Sequence, residues 1–388
     1  MIVLANVEAG PGIAAAVAAL KAGARAVPAL VDGVSLVEAA PTVRSVGYGG
    51  WPNLLGVMEF DGAVMEGDER RVGAVAAVPG VLHVARLAEA VMERLPHVML
   101  SGAGARRFAD ELGFGPEEVL HPDSRRVWWQ RLAGLLSPAE QAAFPDVPLI
   151  PLLSAITDPE KVRDTTVFLG QDGAGSLGVA TSTSGWAWKY PGRVGDAPIP
   201  GAGFYADSRY GAAACTHTGE MTMRGVTAHR VVEEMRLGAS VEAAVRAAGE
   251  DLLSLRGGFL AEVVIHAIDA KGGHFVLTVG AEAPVGYWVW TEGMEAPERR
   301  LSRRMGDSPI ISVTPFNDGC ITHPTTPCPP PLATAPPSPP RPSACRDRTA
   351  PAGTSGTRPL PQPATAPPPR SGSRGRGTST RSARPDRR

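Results

Sequence analysis

The chain has 388 residues, enough for one large domain or two ordinary ones, and 43% of them are hydrophobic. Aromatics are only 5%, so the core must rest on Ala, Val and Leu. The formal net charge of −1 hides two unlike parts: from Pro324 onward there are eleven Arg, no Lys and two acids, which leaves 27 basic and 37 acidic residues, a net of −10, for Met1–His323. Of the four cysteines only Cys215 lies in the folded part. Cys320, Cys328 and Cys345 lie in or beside the tail without metal-ligand spacing. An internal disulfide is thereby excluded from the body, and no metal or other cofactor is expected. The N-terminus lacks a basic n-region and a long apolar h-region, and no apolar run reaches membrane-spanning length, so a cytoplasmic protein is expected.

In chain order, Ile2–Asn6 predicts a short buried strand. Helices follow over 12–22 and 29–39, the second with Leu30, Val34 and Val37 at core spacing. Residues 45–53 form a glycine-dense loop, whose composition implies tight turns or close backbone approach. A strand is expected over 59–65, a helix over 81–94 with Val84, Leu87, Ala88 and Val91 on one face, a strand over 97–100 and a helix over 104–112. Residues 138–161 are proline-rich and read as a connector that tolerates a cut, with one short helix over 139–144. Then come two strands, 165–169 and 178–182, a second glycine-rich stretch over 192–203, helices over 227–235 and 241–253, and a hairpin of 260–268 with 274–279 around Asp269–Gly273. The mixture predicts an α+β fold of sheets covered by helices. From about Gly306 Pro, Ala, Ser, Thr, Gly and Arg take over. Residues 306–388 therefore read as a disordered Pro/Arg-rich tail. Its residues favour GC-rich codons, which also fits the product of a slipped reading frame. The basic stretch Ser373–Gly377 has no interleaved aromatic, which argues against nucleic-acid binding.

The chemistry centres on Asp164-Thr165, where the connector meets a strand. A Thr hydroxyl is a poor nucleophile without a base beside it. A Thr that begins a chain carries its own base, an α-amine with a pKa near ~8. Thr181-Ser182-Thr183-Ser184-Gly185 supplies hydroxyls on the next strand. Arg193 and Asp196, three residues apart in a glycine loop, can clamp an amino acid's carboxylate and ammonium. Cys215-Thr216-His217-Thr218-Gly219-Glu220 supplies a further hydroxyl and backbone N–H groups, the makings of an oxyanion hole.

At these residues, with Gly192–Pro198, Gly201-Ala202-Gly203, Ser45–Gly50, Pro52-Asn53, Asp61, Met65, Gly73-Ala74-Val75, Pro96-His97-Val98 and Gly102–Ala105, the chain resembles the glycosylasparaginases and the related isoaspartyl peptidase/L-asparaginases. The likeness covers about Met1–Glu295. It implies the four-layer αββα sandwich of the N-terminal-nucleophile hydrolases, made of an N-terminal fragment 1–164 and a C-terminal fragment 165–305. It also implies self-cleavage between Asp164 and Thr165, with Thr165 as nucleophile and base. Thr183 would bond the nucleophile, Arg193 would take the substrate's α-carboxylate and Asp196 its α-ammonium. The Thr216 hydroxyl and the His217 backbone N–H would form the oxyanion site, with Ser45 behind these contacting groups. The processed pairs would form a homodimer acting on a small asparagine-derived substrate. Four positions depart from the family: Arg163 for His, Val167 for Gly, His217 for Gly, and about Val7 for the Trp of many glycosylasparaginases.

Blander readings stand beside these. Thr165 and Thr183 suit any strand, Arg193 and Asp196 could pair only with each other, and Ser45 suits any turn. His217 and His97 are rejected as catalytic bases because the N-terminal amine fills that role. The function expected is an autoprocessing amidohydrolase of asparagine derivatives, N4-(β-N-acetylglucosaminyl)-L-asparaginase in type. The alternatives are an isoaspartyl dipeptidase or L-asparaginase, and an unprocessed, non-catalytic precursor.

Overall fold

In the computed structural model, residues 1–115, 117–155 and 165–306 are described, together with the backbone of 312–313. Asp164, Arg163 and the expected scissile bond lie outside the described residues, as do 307–311 and 314–388 of the expected tail, while residues 312–313, read as part of that disordered tail, pair as a strand with residues 259–260. The described residues fall in one unit, Met1–Thr322.

Chain order runs β1 (Ile2–Asn6), α1 (Ile13–Lys21), α2 (Ala26–Ala39), β2 (Glu59–Glu66), β3 (Arg71–Pro79), α3 (Val84–Arg94), β4 (Met99–Ser101), α4 (Gly102–Glu111), α5 (Pro122–Ala133) and α6 (Pro138–Ala143). It continues with β5 (Thr165–Gln171), β6 (Leu177–Thr183), β7 (Phe204–Asp207), β8 (Gly211–His217), α7 (Gly219–Gly225), α8 (Thr227–Arg236), α9 (Val241–Ser254), β9 (Phe259–Leu260), β10 (Val263–Asp269), β11 (His274–Val279), β12 (Gly286–Thr291), β13 (Glu298–Leu301), β14 (Arg303–Met305) and β15 (Ser312–Val313). The protein is thus a mixed α+β chain. The elements expected from periodicity are present with ends shifted by a few residues, and the β10–β11 hairpin turns at Asp269–Gly273 as read. The structure adds β3, β7, β8, α5, α7 and the strands after β11, and it breaks the strand expected over 260–268 at Ala261–Glu262 into β9 and β10.

Two sheets organise the unit. The larger has the order β13-β12-β1-β5-β6-β2-β3-β4, the smaller β14-β11-β10-β8-β7. Side chains alternate between the two faces of each strand. Ile2, Leu4, Val167, Leu169, Val179, Ala63 and Met65 of the large sheet share one buried cluster with Ala212, Ala214, Val264, Ile268 and Phe204 of the small one. The alternate residues, Val3, Ala5, Phe168 and Ala180, pack instead with α1 and α2. On the small sheet, Cys215, Val263, Ile265 and Leu277 pack with α8 and α9. A core this poor in aromatics must fill space with small side chains, and its elements therefore approach closely.

Helix ends are fixed by polar groups from elsewhere. Ala26 N–H at the start of α2 donates to the Asp172 carboxylate, 3.1 Å away, which sits in the β5–β6 turn. That carboxylate also accepts from Ala174 and Ser176 N–H at 3.0 Å each. A carboxylate at a helix N-terminus satisfies an orphan donor and complements the helix dipole. Helix α6 begins with a capping box between Ser137 and Glu140.

The approach of α1 to α2 depends on Gly12. A Cβ there would fall inside the van der Waals radius of the Gly33 carbonyl. Gly12→Ala is therefore expected to cost about 1–3 kcal/mol, the usual penalty of overpacking, and to lower Tm by a few degrees in calorimetry. A variant melting with the parent would show that the two helices part freely.

Candidate active site

Strand β5 lies between β1 and β6, and its first residue is Thr165. Antiparallel register sets Thr165 opposite Thr183, the last residue of β6, and Thr183 opposite Asp61 on β2. Asn6, the last residue of β1, lies at the same end of the sheet. Alternation from Val167, Leu4 and Ala63 carries Thr165, Thr183, Asn6 and Asp61 to the face that meets the small sheet. The same argument from Ala212 and Ala214 puts Thr216, near the end of β8, on the opposing face. Sheet pairing therefore gathers residues 6, 61, 165, 183 and 216 at one end of the inter-sheet layer.

Asn6 fixes Thr165. Its Nδ2 donates to the Thr165 carbonyl at 2.7 Å, and its Oδ1 accepts from Val167 N–H at 3.0 Å and Thr166 Oγ1 at 3.1 Å. Thr165 is 4% exposed. Thr183 Oγ1 accepts from Gly185 N–H at 2.9 Å, which leaves its own proton for a second partner. Val167, standing where the family has Gly, is fully buried in the inter-sheet cluster. A bulge in β2 between Phe60 and Gly62 aims Asp61, which accepts from Ala77 N–H at 2.7 Å and Gly195 N–H at 3.3 Å.

The first glycine-dense loop meets the end of β6 beside this row. Ser184 Oγ donates to the Ser45 carbonyl at 3.1 Å, and Ser45 Oγ lies 3.4 Å from Glu8 Oε1. A Cβ on Gly50 would collide with the Ser184 hydroxyl. Ser45 thus joins the first loop to the residue after Thr183. Lys189 is 1% exposed, and its Nζ donates to the Glu59 carbonyl at 2.8 Å. The Glu59 carboxylate accepts from Asn53 Nδ2 at 2.9 Å and Gly192 N–H at 3.2 Å, which anchors the start of the Arg193 loop.

Arg193 and Asp196 do not rely on each other. Arg193 makes a forked contact with Glu220, Nη2 lying 2.9 Å from both carboxylate oxygens, and its guanidinium lies over the Trp186 ring at 4.6 Å. Asp196 is 3% exposed, and its Oδ2 accepts from Thr222 Oγ1 at 2.6 Å. Burial pushes its carboxyl up to about 6, against the pull of the Thr222 hydroxyl and the Arg193 charge. Gly219 and Gly203 make room for it: a Cβ at Gly219 would sit 2.8 Å from Asp196 Oδ1, and one at Gly203 would strike the Asp196 carbonyl.

His217 takes φ +82°, a left-handed conformation that costs an L residue roughly 1–2 kcal/mol. The family's Gly adopts it without that cost. Its ring is buried, with Nδ1 2.9 Å from Thr216 Oγ1 and Nε2 3.4 Å from Glu262 Oε1. His266, on the next strand, is pushed down to about 3 by burial and then by His217, and is neutral. His97 lies just before β4, in the edge strand of the large sheet, and takes no part. Asn6, Thr222, Glu262, Lys189 and Glu59 have no motif of their own, whereas Asn53 stands in the Pro52-Asn53 pair. Of the former, Asn6 alone had a signal, as a polar residue ending a run of buried apolar ones.

The end of a strand that begins at Thr165, facing a second sheet with Arg193 and Asp196 in an adjoining loop, is the candidate site. The asparaginase family model matches residues 11–296, and the chain belongs to that family, whose members hydrolyse amide or isopeptide bonds. It is 36% identical over 258 residues to an N(4)-(β-N-acetylglucosaminyl)-L-asparaginase of Elizabethkingia miricola, covering 65% of this chain and 71% of that protein. It is also 36% identical over 242 residues to an isoaspartyl peptidase of Salmonella typhimurium, covering 61% and 74% respectively.

The Asp196 environment makes a stability prediction. Its folded value of about 6 exceeds its ordinary 3.8, so the folded state favours the protonated form. The associated stability is complete below pH 3.8 and is lost as pH rises to about 6, a cost on the order of 3 kcal/mol at neutral pH. Asp196→Asn should therefore gain Tm over the parent between these two pH values and hold a constant lead above. A lead independent of pH would refute the buried-carboxylate account.

Proposed function

We propose that the chain cuts its own Asp164–Thr165 bond and that the freed Thr165 hydrolyses the side-chain amide of an asparagine derivative. N4-(β-N-acetylglucosaminyl)-L-asparagine heads the candidates. The observation that carries this reading is the placement of Thr165 as the first residue of a central strand, opposite Thr183 and clamped by Asn6. The fold would be the four-layer αββα sandwich of N-terminal-nucleophile hydrolases. Fragments 1–164 and 165–305 would remain paired through the β1–β5 and β2–β6 ladders, two such pairs forming a homodimer.

In maturation, Thr165 Oγ attacks the Asp164 carbonyl carbon, the C–N bond breaks, and Asp164 is left as an ester on Thr165. The bond cleavage has already freed the Thr165 α-amine, and one water then hydrolyses the ester, releasing the Asp164 carboxylate and the Thr165 hydroxyl. In turnover, the amine takes the Thr165 hydroxyl proton as oxygen attacks the substrate's amide carbon. The Thr216 hydroxyl and the His217 N–H receive the developing oxyanion. The proton passes to the departing amine or ammonia, and water releases aspartate from the second ester. Thr183 bonds the nucleophile. Arg193 receives the α-carboxylate, for which Glu220 stands in here, and Asp196 receives the α-ammonium, which would draw its pKa down.

An isoaspartyl dipeptidase or L-asparaginase activity uses the same clamp. The equal identity to the isoaspartyl peptidase, and the absence of a Trp at Val7, favour testing it alongside.

Purified protein on a denaturing gel should give two bands, the smaller one beginning Thr165-Thr166-Val167-Phe168 by N-terminal sequencing. Thr165→Ala should stay one full-length band and release nothing from N-acetylglucosaminyl-asparagine, β-aspartyl dipeptides or asparagine. A parent that stays intact on prolonged incubation supports the inert precursor instead. A Thr165→Ala protein that turns over any of the three amides removes the nucleophile assignment.

A further inference from the structure

We infer that the His217 side chain, backed by Glu262, sets the direction of the Thr216 hydroxyl and is a positioning residue for hydrolysis. The inference rests on the reading of Thr216 as an oxyanion donor. A Thr hydroxyl has one proton. If that proton goes to a neighbouring acceptor, the oxygen presents only lone pairs to the substrate and repels a developing negative charge. Thr216 can serve an oxyanion only when its proton is left for the substrate, and a neighbour that donates to its oxygen favours that orientation.

His217 Nδ1, 2.9 Å from Thr216 Oγ1, is that neighbour. The ring's other nitrogen, Nε2, faces the Glu262 carboxylate at 3.4 Å. A ring with a proton on both nitrogens would donate from Nε2 to that carboxylate and from Nδ1 to Thr216. Glu262 is held in turn by its own carbonyl, which accepts from Thr218 N–H at 3.2 Å and Thr218 Oγ1 at 2.7 Å. His266 on β10, the other imidazole facing this ring, is neutral. The chain of contacts is therefore Glu262, His217 Nε2, His217 Nδ1, Thr216 Oγ, with the Thr216 proton left for the substrate. A glycine would satisfy the left-handed backbone and offer the same N–H, but would leave the hydroxyl free to rotate. The imidazole restricts it at the expense of a disfavoured φ.

The test uses the processed enzyme and whichever of the three amides it turns over. Thr216→Val, the control on the underlying reading, should lower kcat by about 100-fold or more. His217→Gly should lower kcat by about tenfold with KM little changed, since a misdirected donor costs less than a deleted one. Its Tm should not fall, because glycine relieves the backbone. Asn tolerates the left-handed region and can place an amide N–H where Nδ1 stands, so His217→Asn should recover most of the lost kcat. Glu262→Ala leaves residue 217 in place and should also lower kcat, which keeps the test open if His217→Gly fails to mature. If Thr216→Val is impaired while His217→Gly and Glu262→Ala match the parent in kcat, the positioning role is overturned and the oxyanion reading stands. If Thr216→Val itself is unimpaired, both fall.

Discussion

The site depends on one amide. A nucleophile that becomes a chain terminus loses the upstream peptide that would otherwise hold it. Its place must then be kept by contacts that survive the cut. Asn6 makes those contacts: one end of its side chain takes the Thr165 carbonyl, the other takes Val167 N–H and the Thr166 hydroxyl. Each is worth about 1 kcal/mol net, but leaving a buried partner unmet would cost more. Because Asn6 closes β1, which pairs along β5 from Ile2 to Ala5, the proposed cut would leave the clamp on one fragment and Thr165 on the other. Sheet pairing across such a cut would hold Thr165 without help from the segment upstream.

Glycine density is the second constraint, and it is a demand for space. The glycines at 50, 203 and 219 each lie where a Cβ would meet a site group: the Ser184 hydroxyl, the Asp196 carbonyl and the Asp196 carboxylate. Residues 45–53 and 192–203 therefore announce close approach in their composition, and both loops are found at the site. What composition does not give is the partner. The join of Ser184 to Ser45 spans 139 positions in the chain and exists only because β6 and the first loop share an end of the sheet.

The same limit governs how much of the fold is legible. Helix α3 is read correctly because its apolar residues recur on one face, and Val84, Leu87, Ala88 and Val91 are all buried. Strand β8, Gly211–His217, escapes because Gly-Ala-Ala-Ala-Cys-Thr-His has few of the β-branched or aromatic residues that mark strands. Its alanines are a tertiary requirement: a strand packed against β5 on one face and α8 on the other must be thin. Strand β12, Gly286–Thr291, carries Tyr, Trp and Val, residues that favour strands, yet it is not among the elements read from the sequence. Among site residues, Thr165, Thr183, Arg193, Asp196 and Thr216 stand in recognisable motifs. Thr222 and Glu262 act through contacts to Asp196 and His217 that no local spacing encodes.

Buried acids separate scaffold from chemistry by how well they are satisfied. Asp172 accepts three backbone N–H groups, so its charge is neutralised by fixed dipoles and it closes a turn and caps α2. Asp61 accepts two, from Ala77 and Gly195, and ties the β2 bulge to the Arg193 loop. Asp196 is as deeply buried, yet its side chain has the Thr222 hydroxyl and its own N–H as donors, and its pKa rises accordingly. Such a group destabilises the fold by itself and is stabilised by an incoming cation. His217 shows the same bias in backbone form, a left-handed residue at the end of a strand whose other positions are relaxed. Unmet electrostatic demand at Asp196 and local strain at His217 thus lie close together in the candidate site, as the proposed binding of a zwitterion and an oxyanion would require.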